Sequence, residues 1–170
     1  FTFKHLKLLD ELVGDQETLE VKENKRGKKV EVLLDLYANF VTCAFFIFAR
    51  PDDCEHTTRK TNEEEETATY KIESSKVDQQ AIGWSVKVRC CCEDAALEFE
   101  RKVCPVHALN DILWDQFRQL PRESHTKLFM RLLEVIEIPN EKPKGAYARA
   151  PMNLYSIRIG GACCAVAANL

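Results

Sequence analysis

Residues 83–117 carry the chain's clearest alternation, its densest cysteines and its best-bounded helical spacing, so the other segments are placed around them. In Gly83-Trp84-Ser85-Val86-Lys87-Val88-Arg89-Cys90-Cys91-Cys92, the side chains of Trp84, Val86, Val88, Cys90 and Cys92 fall on one side of an extended chain. Ser85, Lys87, Arg89 and Cys91 fall on the other, the pattern of a half-buried strand. Further on, Leu109, Leu113, Phe117 and Leu120 recur at helical spacing between Pro105, which suits a first turn, and Pro121, which ends one. A helix over 106–120 is expected.

Cysteine usage bears on the compartment. Eight cysteines in 170 residues would suit a disulfide framework in a small secreted chain, but this chain is long enough to bury a core of its own. Consecutive residues of a strand point to opposite faces, so at most Cys90 and Cys92 share a partner. Reduced thiols acting as small apolar residues of an intracellular, cytoplasmic or nuclear protein are expected. The formal charge of −3 gives no reason to expect nucleic acid or a membrane as partner, and no apolar run approaches the roughly 20 residues that a spanning helix needs.

Taken in order, residues 1–6 start in alternation and predict an opening strand. Residues 18–21 and 30–36 predict a hairpin across the basic, glycine-bearing tip Lys25-Arg26-Gly27-Lys28-Lys29. The apolar run 40–48, rich in aromatic residues, reads as a central strand. Residues 54–66, with four successive glutamates at 63–66, read as a solvated loop, and 67–73 as an edge strand. Residues 96–103 alternate and are expected to pair with 84–92. Residues 126–138 fit a strand or a helix, with Val135-Ile136-Glu137-Ile138 favouring strand. Residues 139–145 read as a linker, and 147–170 as a weakly ordered tail. Many short strands and one late helix predict an all-β antiparallel sandwich.

Catalytic signatures are sparse. His5, His56, His107 and His125 stand alone, outside any His-Glu-x-x-His pair, and the six glycines form no phosphate loop. Cys104 and His107 sit three apart, which invites a thiol–imidazole reading, but with no flanking glycine signature and no second charged partner a structural cysteine and a surface histidine are expected. Cys90, Cys92, Cys104 and His107 could form a zinc clamp from a strand and a loop, but their spacing is not the usual paired knuckle. Trp84 and Trp114 read as core anchors.

Four segments resemble the MATH (meprin and TRAF homology) domains, particularly the divergent nematode type often joined to BTB domains. Residues 1–12 look like that family's opening strand, and residues 30–51 like its strand pair ending in a proline turn. Trp84-Ser85-Val86 looks like its Trp-Ser-Ile strand. Ile112-Leu113-Trp114-Asp115-Gln116-Phe117, followed by 127–138, looks like its short helix and last strand. The resemblance implies an eight-stranded TRAF-like β-sandwich over 1–138, with 55–82 as an insertion and 139–170 as linker and tail. It implies a non-enzymatic protein–protein interaction module that binds extended peptides, often as the substrate-recognition part of a ubiquitin ligase adaptor. Arg89, His107 and Asn110 are then the candidate partner contacts, with no cofactor. Two alternatives stand beside it: a cysteine-based metal or redox protein using Cys90, Cys92 and Cys104, and a structural subunit that oligomerises through its tail.

Overall fold

A computed structural model of the chain describes residues 2–12, 17–23, 27–49, 51–73, 83–92, 104–137 and 153–167. Their order is α1 (Phe3–Leu12), β1 (Thr18–Lys22), β2 (Lys29–Leu33), α2 (Leu34–Phe46), α3 (Pro51–Cys54), β3 (Thr57–Asn62) and β4 (Thr67–Ile72). Then follow β5 (Trp84–Arg89), α4 (Asp111–Arg118), α5 (Arg122–Val135) and α6 (Leu154–Ala167). This is a mixed α/β fold, and it overturns the expected eight-stranded β-sandwich. Five strands form a two-stranded sheet, β1-β2, and a three-stranded sheet, β3-β4-β5, while helices supply most of the core. The MATH and ubiquitin-adaptor readings, which implied that sandwich, lose their structural basis with it.

The correction turns on α2. The run at 40–48 was expected as a central strand because it is apolar on every side, and a buried strand and a buried helix look alike on that criterion. What separates them lies upstream: Leu34, Tyr37 and Ala38 continue the buried pattern, so the apolar segment reaches 13 residues, longer than most strands. Its helix ends where Phe48 turns to φ 52° and Ala49 donates back to Ala44 O at 3.2 Å. Tyr37, Phe40, Val41, Cys43 and Phe45 are all buried. Around α2 pack α1, α4, α5 and α6, together with β2.

Two more expected strands are helices, each with a single buried face. In α5, buried Ser124, His125, Leu128, Phe129, Leu132 and Leu133 repeat at i, i+1, i+4 and i+5, a helical face. The β-branched end that favoured strand lies at the helix terminus, where Ile136 caps the last turn and Glu137 adopts φ 54°. In α1, Leu6 and Leu9 are buried three apart in place of the expected opening strand.

The hairpin forms as expected, but its return strand, expected over 30–36, ends at Leu33 where α2 begins. β1 and β2 pair antiparallel with Val21 opposite Val30, and Gly27 takes φ 84° in the connection. The segment expected as a solvated loop instead contains β3, and the four glutamates form the turn into β4. β4 is the central strand of its sheet rather than an edge, with Ala68, Tyr70 and Ile72 fully buried. β5 starts at Trp84 as expected, and Trp84 itself is 44% exposed, so it anchors no core. The proposed partner strand at 96–103 and the linker at 139–145 lie outside the described residues.

The expected helix at 106–120 shortens to α4, because Asn110 caps it by accepting from Leu113 N–H at 2.8 Å. Trp114 is fully buried, as expected. It stands 4.8 Å from the Phe40 ring and donates its indole N–H to Thr57 O at 2.8 Å, joining α4 to α2 and β3. Within the expected weak tail, α6 lies on α2 so closely that a Cβ at Gly161 would sit 2.4 Å from Phe45 O. No helix among the described residues is long and apolar enough to cross a membrane.

Candidate metal centre

The cysteine run sits where β5 stops. Arg89 is the strand's last residue, opposite Thr67, and one further backbone bond, Cys90 N–H to Glu66 O at 2.8 Å, fixes the start of the run. Beyond it the chain leaves the ladder, and the strict two-sided alternation of a strand ends with it. Cys92 N–H donates to Cys90 Sγ at 3.4 Å, which curls the run around its first sulfur.

Facing this run is the turn Cys104-Pro105-Val106-His107, closed by Ala108 N–H donating to Cys104 O at 2.8 Å. Cys104 is buried and His107 exposed, so the turn points its sulfur inward and its imidazole towards the edge. His107 Nδ1 lies 3.4 Å from Cys90 Sγ and 3.2 Å from Cys92 Sγ, and Cys104 Sγ lies 3.8 Å from Cys90 Sγ. All four donor atoms lie within 4.8 Å of one another. A tetrahedral zinc ion with Zn–S bonds of about 2.3 Å and Zn–N of about 2.0 Å spaces its donors about 3.5–3.8 Å apart. The sulfur–sulfur separation reaches the top of that range, and the two nitrogen–sulfur separations fall just below it.

Electrostatics single out Cys104. Its sulfur accepts hydrogen bonds from the Cys91 thiol and from the backbone N–H groups of Cys91, Val106 and His107, which hold its pKa far below the ordinary thiol range. Cys91, donating to that sulfur, is pushed up, while burial raises Cys92 to about 12.

The turn is tied to the rest of the fold through its carbonyls. Pro105 O accepts from Tyr70 Oη at 3.0 Å, and Cys43 Sγ on α2 reaches it at 3.6 Å. Arg59 on β3 reaches the same turn and pairs with Asp111 on α4.

Of the residues named from sequence, the fold brings Cys90, Cys92, Cys104 and His107 to one point. His107, expected as a partner contact, stands among the ligands. Arg89 and Asn110 remain exposed at the end of β5 and at the start of α4, where Asn110 serves as a helix cap. Two participants were not anticipated. Cys91 was assigned to the opposite face, but the strand ends before it. Arg59 sat in a segment expected to be loop. The available signal was Cys104-Pro105-Val106-His107 itself, a two-residue knuckle with histidine as its second ligand. Comparison with known proteins finds no family model, no curated protein and no solved structure that matches this chain at a significant level.

Proposed function

We propose that this chain is a non-enzymatic zinc-binding protein in which Cys90, Cys92, Cys104 and His107 hold one structural zinc ion between the end of β5 and the turn before α4. The observation that carries the reading is the convergence of three sulfurs and one imidazole nitrogen within 4.8 Å. Thiolate with imidazole is a donor set that zinc prefers, and four protein ligands leave no open position for a substrate or an activated water. The role that follows is to fasten the three-stranded sheet to the helical part. The peptide-groove expectation depended on a continuous sandwich sheet, which the five strands in two small sheets among the described residues do not form.

Elemental analysis of the purified protein tests this directly. One equivalent of zinc, lost on replacing Cys104 or Cys92 by serine, is the expected result. Substoichiometric metal after purification with added zinc, together with a thermal midpoint that neither zinc nor a chelator moves, would sink the proposal.

A further inference from the structure

We infer that Arg59 is the positioning residue of the metal centre, acting through the two carbonyls it holds in the turn that carries Cys104 and His107; this rests on the zinc reading above. The Arg59 side chain is fully covered. Its Nη2 donates to Val106 O at 2.7 Å and to Pro105 O at 3.3 Å. Those carbonyls belong to the 106–107 and 105–106 peptide planes. A trans peptide points its N–H away from its C=O, and the N–H groups of these two planes are those of His107 and Val106. Both planes belong to the turn that carries Cys104 at its start and His107 at its end.

One guanidinium therefore fixes the acceptor ends of two of the peptide planes that join the turn's two ligands. Fixing these planes holds the backbone of the turn in one conformation, as outer-shell partners of a metal site do. The same 106–107 plane leads into the His107 backbone, so the spacing between the turn's two ligands is set as well.

Arg59 is itself held on its remaining sides. Its Nε donates to Tyr70 Oη at 3.0 Å and its Nη1 to Asp111 Oδ1 at 2.5 Å. Asp111 is fixed by Thr61 N–H at 3.0 Å and Thr61 Oγ1 at 2.7 Å. A planar fork with several fixed donors can satisfy two carbonyls, a phenol and a carboxylate together; a lysine ammonium in the same place cannot.

The test is metal affinity and donor geometry in Arg59→Met and Arg59→Lys, measured with cobalt(II) and with zinc against a chromophoric chelator. Amide proton shifts of Val106 and His107 are read on the zinc-loaded proteins. Loss of outer-shell support of this kind weakens metal binding about 10–100-fold. That loss is expected for Arg59→Met, with Arg59→Lys failing to restore it and both amide protons shifting upfield as their carbonyls lose this donor. Leu132→Val, a core change away from the turn, should lower thermal stability and leave affinity and shifts unchanged. If Arg59→Met does not fold, Tyr70→Phe takes its place, since it removes one donor to Pro105 O and keeps the cation; a smaller affinity loss with the same shift direction is expected. Wild-type affinity and wild-type amide shifts in a folded Arg59→Met or Tyr70→Phe protein would overturn the inference. A wild-type chain that takes up neither cobalt nor zinc would overturn the zinc reading itself.

Discussion

At the scale of single residues, the distinction that matters most is between Cys91 and its two neighbours. Cys90 and Cys92 face His107, whereas Cys91 hydrogen-bonds the sulfur of Cys104 without joining the four-atom cluster. A tetrahedral ion is complete without it. Cys91→Ser is therefore expected to retain one equivalent of zinc, while Cys90→Ser, Cys92→Ser and His107→Ala each lower the affinity; metal loss in Cys91→Ser equal to that in Cys90→Ser would place Cys91 among the ligands. Arg59 raises a separate residue-scale question, that of a cation without solvent. Its burial is tolerable because Tyr70, Asp111 and two carbonyls take up its donors. Replacing it leaves those carbonyls without this donor, each unmade bond costing about 1–3 kcal/mol. Such a loss falls within the range of stability changes attributed to breaking buried polar networks.

At the scale of elements, the strands were more legible than the helices. The β1–β2 hairpin and β5 follow from alternation, turn residues and a glycine with positive φ, all local signals. The helix α2 was misread because burial on most sides erases the difference between the periods of 2 and 3.6, and α5 because its β-branched end was given more weight than the helical spacing of Leu128 and Leu132. Trp114 sits in the core as expected of a tryptophan set in an amphipathic helix, whereas Trp84, heading a strand, does not. The candidate site was half legible: its four residue types were visible as a set, but the convergence of two segments eleven residues apart depends on how β4, β5 and α4 pack, and no local pattern encodes that. The α2–α6 contact is another such case, since nothing near Gly161 in sequence announces that Phe45 O will lie against it. Gly161→Ala would drive a methyl into that carbonyl and the Phe48 ring, forcing α6 outward at about 1–3 kcal/mol. Faster amide exchange along 154–167 with little change in β3–β5 is expected; unchanged exchange across α6 would mean that the two helices part without cost.

For the molecule as a whole, two conditions should control stability. Metal is the first. If zinc is present at 1,000 times its Kd, mass action contributes about 4 kcal/mol, and stripping it should lower the thermal midpoint by roughly 8–16 °C in a chain of this length. A chelator-insensitive melt would contradict that. Acid is the second. His125 is buried beside Tyr37, whose hydroxyl lies 3.0 Å from Nδ1, and burial pushes its pKa down from 6.5 to about 4. Because the folded value lies below the unfolded one, the full contribution is present above pH 6.5. It drains away as the pH falls towards 4, by about 3 kcal/mol. Zinc loss adds its own acid sensitivity, so the comparison is wild type against His125→Phe, in which the metal contribution is shared. The variant should show a shallower decline between pH 6.5 and 4, and parallel curves would mean that His125 is not the titrating group.

The position of α2 also has a consequence for how the chain is made. Its apolar surface is complete by residue 46, yet the α4 and α5 faces that cover it, with Trp114, Phe117 and Leu128, lie some 70–80 residues later. At a synthesis rate of about 5–20 residues per second, a ribosome leaves those faces of α2 uncovered for roughly 4–16 s. A nascent chain held that long with a naked greasy helix is a client for chaperones, and expression should respond to their supply more than to codon choice in the first fifty residues.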